Sequence, residues 1–181
     1  ASVADLEALV RGTLDFARAD LHAKPLQSMD IAALLGQMAQ RYQRLGHDVA
    51  LHAPAAVQPG FTWPCRPLAL KRAVGNLVDN ALAHGGAGAI EGIEWEVHAD
   101  VLQIRVLDRG PGIAPESLAR VLEPFQQNDG SRGPQRTGLG LGLPIAAACA
   151  EAQGGVLTLK NRADGGLCAL LTLPRPPQQP A

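Results

Sequence analysis

The hydrophobic residues at the start of the chain are spaced almost as in a heptad repeat. They recur at Val3, Leu6, Val10, Thr13 or Leu14, and Ala17. This spacing predicts an amphipathic helix over residues 1–20. A helix of that length is marginal in water by itself, so we expect it to pack against a partner helix or a second subunit.

The same periodicity, read together with end signals, predicts the remaining helices. Asp30 is placed as the N-cap of the next helix, and Gly46 lies at its C-terminal side. A proline in the first turn suits the helix after that. Helices are predicted over Ile31 to Leu45, Pro67 to His84 and Pro144 to Gln153, with a short one near Pro115 to Val121.

Strands are predicted between these helices, where hydrophobic residues alternate or run together. The segments GVLTLKN and GLCALLTLP form a hairpin around the turn ADGG. Residues 126–137 are polar and glycine-rich, which favours a mobile loop. Other strands are expected in DVALHA (48–53), in GFTW (60–63), and over Gly92 to His98 and Leu102 to Leu107.

Helices and strands are mixed in this order without a regular βαβ alternation. We therefore expect an α+β fold, a two-layer sandwich with a mostly antiparallel sheet and helices on one face. Residues 1–24 form a short helix and linker, 25–174 the main domain, and 175–181 a flexible tail. The linker is HAKPLQSMD, where Pro25 breaks the helical pattern.

Composition narrows the class of protein. Of 181 residues, 46% are hydrophobic and 18% charged, which is typical of a globular chain. A net charge of −1 argues against a nucleic-acid partner. The three cysteines have no spacing that suits zinc, so we interpret them as reduced buried thiols. We find no signal peptide and no membrane-spanning run, and since the chain starts with alanine inside a helical pattern we expect a fragment of a longer protein.

The segment NLVDNALAHG places two asparagines on one face of a predicted helix. Asn76 and Asn80 are four residues apart, and asparagine is a poor helix former. One interpretation is a pair of capping or tethering amides. The other is a pair of neutral oxygen ligands for a hard cation such as Mg²⁺ carrying phosphates.

Two glycine-rich segments follow. In VLDRGPGI, Asp108 ends a strand, and it is either an ordinary turn aspartate or an acceptor for a donor such as an exocyclic amine. TGLGLGLPIA, residues 137–146, alternates like a strand, but three glycines argue against one. It matches neither the P-loop nor GxGxxG. Bare backbone N–H groups before a helix that Pro144 opens would still suit phosphate.

The order of these pieces resembles that of the sensor histidine kinases. Asn76 to Gly85 is similar to the N box, Asp108 to Gly112 to the first glycine box, EPF (123–125) to the F box, and GxGxG (138–142) to the second glycine box. Within the family, LALKRAVGNLVDNA and DRGPGIAP resemble osmolarity-sensing kinases of Gram-negative bacteria. The resemblance implies the Bergerat ATP-binding fold of the GHKL group, with ATP and Mg²⁺ as cofactors.

The resemblance also implies roles for individual residues. Asn80 would be the main Mg²⁺ ligand with Asn76 beside it, and Asp108 would accept from the adenine amino group. Gly110 and Gly112 would leave room for base and sugar, and Arg132 would reach the terminal phosphate, with Asn80 and Arg132 as the catalytic pair. The other nucleotide-binding residues implied are His84, Ile113, Phe125, Thr137, Gly138, Leu139, Gly140, Leu141 and Gly142.

Some positions depart from the family pattern. Ala83 and Gln127 stand where basic residues are common, and Arg136 could offset one missing charge. We therefore expect weaker nucleotide binding than in a fully equipped member. The segment HAKPL, from His22, has the wrong spacing for the acceptor-histidine motif, so we expect the acceptor to lie outside this chain.

The resemblance implies a catalytic domain that donates the γ-phosphoryl group of ATP to a histidine on the dimerisation domain, for relay to the aspartate of a response-regulator receiver domain. Residues 1–24 would be the end of the dimerisation helix with its linker. The parent protein would be a homodimeric inner-membrane sensor kinase, with this chain on the cytoplasmic side. The alternative is a nucleotide-binding regulatory module of the same fold without transferase activity, either a degenerate kinase or an anti-sigma-like regulator.

Overall fold

The computed structural model describes residues 12, 19–55, 57, 60–85, 90–123 and 140–177. These ranges contain three helices of ten residues or more. They are α1 (Ile31–Arg44), α2 (Pro67–His84) and α3 (Gly142–Glu151). Asp30 caps α1 as predicted, since its side chain accepts a hydrogen bond from the backbone N–H of Ala33 at 2.8 Å.

The strands of the described residues form two sheets. The larger has the order β2-β4-β5-β7-β6, in which β2 runs parallel to β4 and the other neighbours are antiparallel. A separate two-stranded sheet pairs β1 with β3. The strands are β1 (Gln27–Asp30), β2 (Ala50–His52), β3 (Thr62–Cys65), β4 (Ile90–His98), β5 (Val101–Asp108), β6 (Val156–Asn161) and β7 (Leu167–Pro174).

The helices pack on the apolar face of the larger sheet, which confirms the predicted α+β sandwich. Leu102, Ile104 and Val106 alternate along β5 and are buried against α2. Helix α3 contacts both α2 and the β6–β7 hairpin. This packing brings the C-terminal end of β5, the polar face of α2 and the start of α3 to one edge of the domain.

Four local predictions are corrected. QSMD, assigned to a linker, is strand β1, because it pairs with β3. Residues 115–122 form successive turns and no regular helix. Helix α3 begins at Gly142, ahead of Pro144, which is tolerated in the first turn because the N–H it lacks has no partner there. Arg175, assigned to an unpacked tail, donates its N–H to Asp100 and stacks on Trp63.

The segment before β1 also packs onto the domain. Residues 19–23 are helical, and Leu21 is only 2% exposed. The guanidinium of Arg66 donates to the carbonyls of Lys24 and Ala152, at 2.8 and 3.0 Å, which ties this segment to the end of α3. No helix within the described ranges is long and apolar enough to cross a membrane.

Candidate functional site

Asp108 is a buried carboxylate at the point where β5 leaves the sheet. Its side chain is 6% exposed, and Oδ1 accepts two backbone hydrogen bonds, from Gly110 and Leu167, each at 2.9 Å. No hydrogen bond to Oδ2 is found among the described residues. One oxygen thus fixes the rotamer, and the other remains available as an acceptor.

The loop after Asp108 is packed against protein on both sides. A Cβ at Gly110 would lie 2.9 Å from the Cα of Gly85, at the end of α2. Gly112 has a φ of +73°, and a Cβ there would lie 2.6 Å from Oδ1 of Asn161. Both glycines are therefore required for the loop to fit the protein. That they also leave room for base and sugar stays a prediction.

A charged cluster that the sequence did not reveal lies behind this loop. Nη1 of Arg162 donates to the carbonyl oxygen of Asp108 at 2.9 Å and to Oε2 of Glu91 at 2.8 Å. Arg109 contacts the same carboxylate oxygen at 3.2 Å. These two guanidinium groups lower the pKa of Glu91 below its usual range. The pairing therefore keeps Glu91 negatively charged, so that it remains a partner for Arg162.

Asn161, the residue before Arg162, binds the far end of the same loop. Its Oδ1 accepts from the N–H of Ile113 at 2.9 Å, and its Nδ2 donates to the Ile113 carbonyl at 2.6 Å. The only sequence signal for Asn161 and Arg162 was their place beside the turn ADGG. That signal predicts a hairpin and says nothing about the loop after Asp108.

Asn76 of α2 lies beside the start of α3. Nδ2 of Asn76 donates to the carbonyl of Arg72 at 2.8 Å, which leaves Oδ1 as its free acceptor. That oxygen lies 3.7 Å from the position of a Cβ on Gly142. Asn80 is half-buried one turn further along the helix. At Asn76, α2 therefore meets the second glycine segment, and the role of Asn80 stays a prediction.

Helix α3 begins without a side-chain cap. Its N-cap residue is Leu141, which has no capping hydrogen bond, and the preceding Gly140 has a φ of +69°. A left-handed glycine lets the chain turn sharply into the helix. Helix α3 thus begins beside Asn76 with no side chain bonded to its first N–H groups at the cap position.

Another hydrogen bond anchors α2 behind its asparagines. The hydroxyl of Tyr42 on α1 donates to Oδ1 of Asp79 at 2.8 Å. Burial and the neighbouring carboxylate raise the pKa of Tyr42 well above its usual value. The hydroxyl therefore stays protonated and keeps donating at neutral and alkaline pH, beside the position of Asn80.

The other sequence-predicted residues divide into two groups. His84 is exposed at the end of α2, with its carbonyl 3.0 Å from the position of a Cβ on Gly110. Ile113 is held by Asn161, and Leu141 and Gly142 begin α3. Five residues lie outside the described part of the chain: Phe125, Arg132, Thr137, Gly138 and Leu139.

The described ranges hold no cluster of three or more histidine, cysteine or acidic side chains that could bind a metal ion. The cysteines are free, and burial raises the pKa of Cys65 and Cys149 to about 11. These two thiols therefore stay protonated at neutral pH. A metal at this edge would instead use neutral amide oxygens.

Comparisons with known proteins agree with this geometry. The family model for histidine kinase-, DNA gyrase B- and HSP90-like ATPases matches residues 65–177. The sensor histidine kinase GtrS of Pseudomonas aeruginosa is 36% identical over 173 residues, which cover 94% of this chain and 34% of GtrS. The chain thus spans about a third of that relative's length.

Solved structures give the same result. The histidine kinase domain of the Escherichia coli osmosensor EnvZ has a TM-score of 0.63 at 30% identity, covering 87% of this chain and 94% of that one. Full-length ShkA in complex with AMPPNP has a TM-score of 0.70 at 26% identity, covering 94% of this chain and 36% of ShkA. The chain therefore belongs to the histidine kinase-, DNA gyrase B- and HSP90-like ATPase family, as an ATP-binding catalytic domain of the sensor histidine kinase type.

Proposed function

We propose that this domain binds Mg-ATP at the edge between α2, the Asp108 loop and the start of α3, and donates the γ-phosphoryl group to a histidine on an acceptor domain. The observation that carries the proposal is the carboxylate of Asp108. It is buried, fixed through Oδ1, and has no described partner for Oδ2. An acceptor of this kind suits the exocyclic amine of adenine.

The length of the site fits an extended ligand. Asn76 of α2 lies beside Gly142, whereas His84 and Gly85 at the end of the helix lie beside Gly110. The two contacts are eight or nine residues apart along the helix. At about 1.5 Å per residue this separates the two glycine segments by roughly 12 Å. A nucleotide would then lie along α2, with its base at Asp108 and its phosphates at the backbone N–H groups of α3.

The residues present also suit Mg²⁺. Magnesium prefers oxygen ligands and is often bound by few protein groups together with phosphates and water. We propose Asn80 as its ligand, with Asn76 beside it. Nδ2 of Asn76 is used within α2, and among the described residues no hydrogen bond to its Oδ1 is found. The ion would offset phosphate charge, while the protein contributes position and backbone donors.

The acceptor histidine and its receiver-domain partner belong to the proposal as well. We infer that residues 1–24 continue a dimerisation helix, and that the parent protein is a membrane sensor kinase with this domain on its cytoplasmic side. The isolated chain should then bind ADP and ATP but incorporate no phosphate by itself. Label transferred from γ-labelled ATP to the isolated chain would contradict this.

A second candidate is a nucleotide-binding module without transferase activity. It is supported by Ala83 and Gln127, which stand where the family often has phosphate-side basic residues. Supplying a matched acceptor domain separates the two candidates. Transfer to its histidine supports the kinase, whereas nucleotide binding without transfer supports the regulatory module.

A further inference from the structure

We propose that Asn161 and Arg162 are positioning residues that hold the base-recognition loop, residues 108–113, in the geometry that reads adenine. The inference rests on the proposed function, because it deepens the role of Asp108. Both residues lie outside the loop, at the end of β6. Each binds the backbone of one end of it.

Arg162 fixes the end of the loop that carries Asp108. The antiparallel pairing of β5 with β7 ends at Leu107 and Cys168, so the Asp108 carbonyl lies beyond that ladder. The guanidinium of Arg162 provides its hydrogen bond and is itself only 15% exposed. A donor locked in this way fixes the backbone from which the carboxylate projects.

Glu91, on strand β4, bonds to the same Nη1 atom of Arg162. It lies at a β-bulge in β4, where the register with β5 shifts between Ile90 and Gly92. A bulge re-aims the side chain of the extra residue. Here Glu91 pairs with Arg162 at 2.8 Å. The chain of contacts runs from Glu91 through Arg162 to the carbonyl of Asp108.

Asn161 fixes the other end of the loop. Its side-chain amide makes the donor–acceptor pair with Ile113 that a neighbouring strand would make through its backbone. The left-handed Gly112 leaves space for this amide, because a Cβ there would overlap Oδ1 of Asn161. The two ends of the loop are thus tied to consecutive residues of one hairpin.

The same hairpin also orients the carboxylate of Asp108 directly. The N–H of Leu167, the first residue of β7, donates to its Oδ1. The carboxylate is thus held by the loop, through Gly110, and by the hairpin, through Leu167. Loss of the Arg162 or Asn161 contacts should let the loop shift relative to the hairpin, and so change the direction of Oδ2 while the fold persists. A misdirected acceptor should lose its preference for a base with an exocyclic amine over one with a carbonyl.

The test compares the binding of Mg-ADP and Mg-IDP to this chain by calorimetry, because hypoxanthine carries a carbonyl in place of the adenine amine. The variants are Arg162→Gln and Asn161→Ala, and the control is Arg105→Gln. Arg105 also pairs with a carboxylate, that of Glu96, and is 27% exposed, but its described hydrogen bonds and ion pairs do not reach residues 108–113. We expect the ADP preference to fall at least about fivefold in the two variants and to hold in the control.

General destabilisation would weaken both nucleotides equally, so the ratio separates positioning from structure. Unchanged affinity and ratio in Arg162→Gln and Asn161→Ala would overturn the inference. If the wild-type chain does not prefer ADP, the proposed role of Asp108 fails instead, whatever the variants do.

Milder variants keep the test decisive if Arg162→Gln does not fold. Arg162→Lys retains the charge beside Glu91, but its side chain ends one atom short of Nη1, which makes both bonds, and it has no second nitrogen to bond Asp164. Asn161→Asp still accepts from Ile113 but cannot donate to its carbonyl. Both should lower the ADP preference, and wild-type ratios in both would contradict the proposal.

Discussion

The two ends of the candidate site, the Asp108 loop (the base end) and the start of α3 (the phosphate end), are built from different chemical groups. At the base end, the side chains of Asp108, Arg162 and Asn161 each bond to the loop backbone, and Glu91 bonds to Arg162, with distances between 2.6 and 2.9 Å. At the phosphate end, α3 begins with glycine and has no side-chain cap. Asn76 there bonds to its own helix.

Under the proposed function, the difference follows from what each end would recognise. A base is read by a few acceptors and donors in fixed directions, which favours a locked carboxylate. Phosphates need backbone N–H groups and a cation, which favours bare glycine and neutral oxygen ligands. We therefore expect substitutions at the phosphate end to change catalysis most, and those at the base end to change selectivity.

The largest effect should come from Asn80→Ala. Removal of the proposed Mg²⁺ ligand should lower phosphotransfer to a supplied acceptor domain by at least about 100-fold, because positioning and charge neutralisation carry this chemistry. Initial rates with labelled ATP measure it. The matched control is Asp79→Asn on the preceding residue, which keeps an acceptor for Tyr42. Equal losses in both variants would indicate that α2 is merely disturbed.

Asp108→Asn should have the next largest effect, at the base end. The amide oxygen can still accept from Gly110 and Leu167, but the amide nitrogen would replace Oδ2 and present a donor to the adenine amine. We expect about a 10- to 100-fold loss of Mg-ADP affinity, measured by calorimetry, with the melting temperature little changed. An affinity near that of the wild-type chain would exclude Asp108 as the adenine acceptor.

Gly112→Ala should affect stability more than Gly165→Ala, although both glycines have a positive φ. A Cβ at Gly165 meets nothing within 4 Å, whereas one at Gly112 meets Asn161. Strain alone should cost about 1 kcal/mol at either position, and the clash should add roughly 1–2 kcal/mol at Gly112. Urea unfolding of both variants measures the difference.

The double variant Gly112→Ala with Asn161→Ala is the control for this prediction. It removes the atom that the new methyl group meets, so the two substitutions should not be additive. If the free energies of unfolding simply add, the clash with Asn161 is not the cause of the loss.

The sequence predicted the parts of the site that depend on local signals. Helix α2 has the predicted limits, Pro67 and His84, because a proline opens it and glycine follows it. The sensor-kinase family and its fold, inferred from the order of the glycine and asparagine segments, are confirmed. The roles of the individual residues stay predictions.

Contacts between distant parts of the chain could not be predicted in this way. Glu91 and Arg162 are 71 residues apart, and Ile113 and Asn161 are 48 apart. Each has an ordinary local explanation, as a strand glutamate or a hairpin residue. Strand β1 has a similar explanation, since QSMD has no hydrophobic alternation and its partner, β3, lies more than 30 residues further along the chain.

The smallest effect, and the one that tests the anchoring of the base end, is the pH dependence contributed by Glu91. Its pairing with Arg162 and Arg109 lowers its folded-state pKa. Above the unfolded-state pKa, near 4.3, the stabilisation is fully present, and it is lost as the pH falls through the folded-state value. The difference in melting temperature between the wild-type chain and Glu91→Gln should therefore be constant from about pH 6 to 8 and shrink below about pH 4.5.

The comparison with Glu91→Gln isolates this carboxylate from its neighbours. Asp164 also contacts Arg162, and so does Asp108 through its backbone carbonyl, and both residues are present in the two proteins compared. A difference that persists unchanged at low pH would mean that Glu91 acts by shape and neutral hydrogen bonding. In that case the base end would be held by geometry alone, and its ADP preference should survive the substitution.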